Sequence, residues 1–90
     1  MKTGIEELVK KFYSKNGIER KIARYELVKI GTPAVKYLTA LLKAPKEYTR
    51  WEAIKTLSQI ADPGTLPVLI NALENEDFDV RWIAAEALLI

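Results

Sequence analysis

Asp79-Val80-Arg81-Trp82-Ile83-Ala84-Ala85-Glu86-Ala87-Leu88 is the stretch whose reading decides the fold. It reads as a compact amphipathic helix, with Ala84 and Leu88 one turn apart on a single side. Weaker copies stand upstream. At an offset of 31, Arg50, Trp51, Ala53 and Leu57 fall on Arg81, Trp82, Ala84 and Leu88. A further 30 residues back, Arg20, Ala23 and Leu27 occupy the positions of Arg50, Ala53 and Leu57.

The register extends outward from those helices. Ile30 precedes Thr32-Pro33 as Ile60 precedes Asp62-Pro63, and Val35, Leu38 and Leu42 meet Leu66, Leu69 and Leu73 at an offset of 31. A period of this length with a turn in its middle marks a helical solenoid, whose units cannot bury their apolar faces alone. The expected fold is all-α: an α-solenoid of three antiparallel helix pairs in a right-handed stack, a single domain over residues 1–90 with units at about 5–30, 33–61 and 64–90.

Within the units, a first helix runs from Ile5 to about Ser14, with Ile5, Leu8, Val9 and Phe12 at helical spacing and Lys15-Asn16-Gly17 as its stop. The second covers Ile18 to Ile30 and ends at Gly31. Thr32-Pro33 starts the third, Thr as the cap and Pro at the first helical position, with Ala34, Val35, Leu38, Leu41 and Leu42 inward. Ala44-Pro45 closes it, because the residue before proline is driven out of the helical region. A fourth helix spans about Lys46 to Ala61, with Ala53, Ile54, Leu57, Ile60 and Ala61 on its inner side. Asp62-Pro63-Gly64 repeats the start signal for a fifth, reaching about Glu74 with Leu66, Leu69, Ile70 and Leu73 inward, and the last fills Phe78 to Ile90. No segment alternates with period two, so no strand is expected.

The run Asp62-Pro63, Leu66-Pro67-Val68-Leu69-Ile70, Asp77, Asp79-Val80-Arg81 and Ala84-Ala85-Glu86-Ala87-Leu88 resembles the unit of the HEAT-like repeat family, in the short form found in phycobilin lyases. The third unit matches closely, the second well, and the first only in its second helix, as a terminal capping unit would. The resemblance implies a scaffold rather than a chemistry. It also implies that the second helices line the inner, concave surface, which is the usual binding face of such stacks.

Composition narrows the functions. The chain has no cysteine, which excludes disulfides, thiolate nucleophiles and zinc–thiolate sites, and no histidine, the commonest general base and transition-metal ligand. The iron-dependent hydroxylases of HEAT-like build need His-Glu motifs, so that activity is closed. DNA glycosylases built from such repeats are much longer, and no catalytic Asp–aromatic pocket can be assembled from this chain. Lyase subunits with this repeat bind bilins on long arrays, which one short array does not support. The expectation is a non-enzyme with no cofactor and no metal. No apolar run approaches the length of a membrane span, and the acidic Glu6-Glu7 comes too early for a secretory signal, so a cytoplasmic setting is expected.

Residues 1–61 carry thirteen Lys/Arg against six Asp/Glu (net +7), and residues 62–90 carry one Arg against six acids (net −5). Such an asymmetry makes head-to-tail contact electrostatically possible, while an isologous dimer would pair the two apolar ends. The final Ala87-Leu88-Leu89-Ile90 carries no stop signal. Either the array continues, or its open apolar end is covered by another molecule, self-association included.

Partner-binding candidates follow from the helix faces. Taking 100° per residue, Trp51 and Trp82 lie about 120° from their core centres. Glu52 and Lys55 share that flank in the second unit, Glu86 in the third, and Lys21 and Tyr25 in the first. Aromatic anchors in a charged frame are the composition of a protein- or peptide-recognition surface. A second reading has both tryptophans filling the grooves between units. Arg20, Arg50 and Arg81 are either a row of phosphate-binding arginines or a ladder in which each bonds an acceptor in the adjoining turn. The ladder is preferred, since recurrence in every unit is what nearest-neighbour stacking requires. Asp62 and Asp79 read as helix caps or ladder partners. A nucleic-acid surface through Lys10, Lys11, Lys15, Lys21, Arg24 and Lys29 is the alternative function, diluted by Glu6, Glu7 and Glu19.

Overall fold

A computed structural model describes residues 4–89. Ile90, the last residue expected in the final helix, lies outside them. Six α-helices follow one another: α1 Ile5–Lys10, α2 Gly17–Ile30, α3 Val35–Ala40, α4 Glu47–Ile60, α5 Leu66–Ala72 and α6 Phe78–Leu88. Single 3₁₀ turns extend α1 and α3 at their C-terminal ends and lead into α3 and α5. No strand occurs among the described residues.

Capping chemistry explains most boundaries. Asn16 caps α2 by accepting from the Ile18 and Glu19 amides, and Asp77 caps α6 by accepting from Asp79 and Val80. Both correct the sequence reading: Asn16-Gly17 opens α2 rather than stopping α1, and the α6 cap is Asp77 rather than Asp79. Asp62 accepts from the Gly64 amide as expected, whereas Thr32 makes no cap bond and instead donates its hydroxyl to Asp62 across the units. Gly31 ends α2 with φ 77° and ψ −136°, a region closed to residues with a β-carbon. Ala61, expected inside α4 on its inner side, is instead exposed and ends the helix in the left-handed conformation (φ 50°), at a cost of about 1 kcal/mol to an L-residue.

The helices pair as α1/α2, α3/α4 and α5/α6. The layer of second helices is the tighter one: α4 packs closely along both α2 and α6, while α1 and α3 meet sparsely and α3 and α5 touch least. The second helices α2, α4 and α6 therefore lie side by side as one layer, and α1, α3 and α5 as the other. α4 sits at the centre and is buried around most of its circumference, with Thr49, Glu52, Ala53, Ile54, Thr56 and Leu57 all inaccessible. One continuous core runs from Leu8 and Phe12 through Leu27, Leu38, Ile54 and Leu57 to Leu69, Val80 and Ala84.

The expected apolar stripe of α5 is corrected. Leu69 is buried, but Leu66, Ile70 and Leu73 are exposed together with Leu89. They lie on the side of the third unit where a further unit would stack.

Candidate functional site

The arginine ladder is built from the same bond repeated three times. Arg20 Nη1 donates to the Ser14 carbonyl at 2.8 Å, Arg50 Nη1 to Ala44 at 2.7 Å, and Arg81 Nη1 to Asn75 at 2.7 Å, each six residues back. The guanidinium thereby holds the turn that joins the two helices of its own unit. Its Nε faces the next unit: Arg20 Nε meets Glu52 at 3.3 Å, and Arg50 Nε meets Asp77 at 2.7 Å. Arg20 and Arg50 are thereby committed to the stack, and Arg81 to the turn of its own unit.

Glu52, a candidate for orienting a partner, is corrected by the structure. It is 4% exposed, and its two carboxylate oxygens take Arg20 Nε and Arg24 Nε, the latter at 3.0 Å. Arg24 is itself buried and donates further to the Gln59 side chain at 3.3 Å. The pair satisfies its polar atoms between α2 and α4 and leaves nothing for a ligand. Arg24 therefore also drops out of the basic surface, and Lys29 pairs with Glu26 at 3.6 Å. Sequence reasoning missed the Arg24–Glu52 pairing. Its signal was the break in repeat pattern: Ile54 and Ala85 stand where Arg24 does, and Ile22 and Ile83 stand where Glu52 does.

The remaining candidates stay at the surface or on its edge. Lys21, Tyr25, Trp82 and Glu86 are exposed; Trp51 and Lys55 are half-buried. The Lys21 ammonium lies 5.8 Å from the Tyr25 ring centre, and the Arg24 guanidinium lies 5.6 Å from both the Tyr25 and Trp51 rings. Lys55 covers Trp51 from 6.0 Å. Lys21, Tyr25, Trp51 and Lys55 thus make one alternating cation–aromatic strip across α2 and α4, hinged on a buried arginine. Trp51 packs against the core, which is the groove-filling role. Trp82 does not: it is 56% exposed and stacks at 6.2 Å on Phe78, itself exposed. Phe78 joins the site as a residue not anticipated, since its position at the start of α6 has no aromatic counterpart upstream. Tyr25 also borders a shallow hollow of about 520 Å³ with Ile22, Val28 and Gln59.

Two carboxylates are electrostatically shifted, both at unit junctions. The Thr32 hydroxyl and then the Gly64 amide hold Asp62 below the usual carboxylate range. Burial pushes Asp77 upward, but the hydrogen bond from Arg50, those from the Asp79 and Val80 amides and the Arg50 charge together outweigh it and leave Asp77 lowered from 3.8. A lowered carboxylate stabilises the fold above its unfolded pKa and loses that contribution as pH falls through the folded value. Asp77→Asn keeps the capping oxygen and removes the charge. It is expected to cost about 1–2 kcal/mol at pH 7. That difference from the parent shrinks as pH drops below about 4, which urea melts at several pH values will measure.

No group of three or more potential metal-ligating side chains gathers among the described residues, and none of their helices is long and apolar enough to cross a membrane. Antiparallel helix pairs stacked in register, tied unit to unit by recurrent arginines, define a helical-repeat solenoid. The chain belongs to the HEAT repeat family, whose model matches residues 5–89. Among solved structures it is similar to a chain in the complex of CpcE and CpcF of phycocyanin lyase from Nostoc sp. PCC7120, at 35% identity and a TM-score of 0.79. The match covers 93% of this chain and 50% of that one, so this chain spans half the length of its structural relative. Curated proteins give no match.

Proposed function

We propose that the chain is a non-catalytic, cytoplasmic protein-interaction module that takes a protein or peptide on the layer of its second helices. Trp82 on α6 is the leading anchor and Tyr25, two helices away on α2, a second, with Lys21, Lys55 and Glu86 setting orientation and Trp51 supporting the surface from its edge. The observation that carries the reading is Trp82: a large aromatic side chain, 56% exposed and stacked on a second exposed aromatic, in a helix whose opposite side is buried core. Exposed aromatics in a charged surround mark protein interaction surfaces. The structural likeness to a chain from a two-protein complex supports a protein as the partner. Of the six cations of the nucleic-acid alternative, Arg24 is taken into an internal pair, and the separate arginine row at Arg20, Arg50 and Arg81 is bonded to the chain's own carbonyls.

Selection of displayed peptides on the immobilised chain tests this. Trp82→Ala is expected to weaken the selected peptides by about 30-fold or more, with circular dichroism and melting temperature unchanged. Trp51→Ala is expected to lose both binding and stability. Peptides whose affinity ignores Trp82, or a melting temperature that falls sharply in Trp82→Ala, would overturn the assignment.

A further inference from the structure

The second helices repeat one surface motif, an aromatic ring and a charge four residues apart: Lys21 and Tyr25 on α2, Trp51 and Lys55 on α4, Trp82 and Glu86 on α6. At offsets of 30 and 31 these are the same two repeat positions. α4 has a neighbour on either side, and Trp51 and Lys55 are still only half-buried. Those positions therefore stay open in a stack of any length.

The fold changes the charge of this surface. By helix angle Glu52 belongs to it and offsets Lys21 and Lys55, but Glu52 is withdrawn between α2 and α4. There one carboxylate serves two guanidiniums, Arg20 and Arg24, and neither has another ion-pair partner among the described residues. Two positive charges against one negative leave one positive charge uncompensated beneath the surface. The Arg24 guanidinium lies 5.6 Å from the centres of both the Tyr25 and Trp51 rings, so that charge sits against the strip. Buried charge is screened by salt far less than surface charge. Lys21 and Lys55 add to it, 5.8 Å from the Tyr25 ring and 6.0 Å from the Trp51 ring, and neither forms an ion pair among the described residues. With its rings already attended by the chain's own cations, the strip suits an anionic group and repels a cationic one.

One helix further on the sign reverses. Glu86 holds the repeat position of Lys55, is exposed and forms no ion pair among the described residues, and residues 62–90 carry a net charge of −5. A polyanion of uniform charge, such as a nucleic-acid strand, gains at α2 and α4 and is repelled at α6. A peptide can match both signs, because its side chains change from residue to residue.

We infer that this surface takes a peptide of split charge: carboxylates of Asp or Glu over Lys21 and Lys55, a Lys or Arg at Glu86, and an apolar side chain on Trp82. The inference rests on the function proposed above and adds to it the chemistry of the partner.

The displayed-peptide selection reads that chemistry directly. Binders that depend on Trp82 are expected to carry an acidic cluster and, separated from it, a basic residue. Lys21→Glu with Lys55→Glu is expected to weaken them at least about tenfold. Folding should be spared, since Lys21 is exposed and glutamate already stands at the repeat position of Lys55 in the third unit. A fresh selection on that variant should exchange the acidic cluster for a basic one. Lys10→Glu with Lys36→Glu makes the same change of net charge on α1 and α3, and is expected to alter affinity by less than about twofold. Trp82-dependent binders without this charge pattern, or equal losses from the two lysine pairs, would overturn the inference and leave the proposed function standing. A selection with no Trp82-dependent binder would overturn both. A single-stranded oligonucleotide that binds more tightly than any selected peptide would give the strip a different occupant and overturn the inference, as would self-association that Lys21→Glu with Lys55→Glu abolishes.

Discussion

Glu52→Ala is expected to remove about 3–5 kcal/mol of folding stability, the cost of leaving a buried guanidinium without its counter-charge. That is a large share of the total of about 5–13 kcal/mol for a chain of this length. The site explains the size. Both Glu52 oxygens are used, by Arg20 and Arg24, and besides Glu52 the Arg24 guanidinium has one hydrogen bond, to the Gln59 side chain, and the Tyr25 and Trp51 rings at 5.6 Å. Arg20 is better placed to survive, since it also holds the Ser14 carbonyl and lies 4.3 Å over the Tyr48 ring. Restoring an apolar interior should therefore rescue the fold: Glu52→Leu with Arg24→Leu is expected to regain most of the loss, and Glu52→Gln alone to fall between. Urea melts followed by circular dichroism read all of these. A Glu52→Ala midpoint equal to wild type would show that water reaches the arginines and that the pair is not the lock described. If Glu52 were instead a ligand contact, its loss would spare stability and harm binding alone.

The second large effect lies at the centre of the stack. Leu57→Ala is expected to cost about 3–4 kcal/mol, because a fully buried leucine leaves a cavity that α2, α3 and α6 cannot collapse into. Leu88, at the same repeat position one unit later, is only half-buried, and Leu88→Ala is expected to cost under about 1.5 kcal/mol. The comparison sets coverage against chemistry, since residue type and repeat position are the same in the second helices of successive units, α4 and α6. A single cooperative transition is expected in both variants, as α4 shares its core with both neighbouring units. Equal losses at Leu57 and Leu88 would mean that the end face is already covered in solution.

Repeat architecture was legible because it is written twice. The coincidence of Arg50, Trp51, Ala53 and Leu57 with Arg81, Trp82, Ala84 and Leu88 reports neighbours that must be alike for units to stack, and the ladder of arginines followed from it. What periodicity conceals is coverage. Leu66, Ile70 and Leu73 carry the pattern of an inner stripe, yet a stripe is buried only where another unit lies against it. Glu52 failed for the converse reason. Its angle on the helix places it off the apolar face, but α4 is enclosed on several sides, so an off-face position is still interior. A helix wheel knows one partner direction, and a central helix of a stack has three. The caps were ambiguous for a local reason: Asn16-Gly17 suits the end of one helix as well as the beginning of the next, and only the distance from Asn16 Oδ1 to the Ile18 amide, 2.9 Å, decides.

The close packing of the second helices has a consequence for any ligand that crosses them. Helices in close contact stand about 8–10 Å apart, and an extended chain advances about 3.3 Å per residue. A peptide laid across α2, α4 and α6 therefore meets a new helix at every third residue, so its determinants would fall at positions one, four and seven, with the two between free to vary. Tyr25, Trp51 and Trp82 would then act as a ruler, and inserting a single residue between two determinants of a bound peptide should throw every later contact out of step.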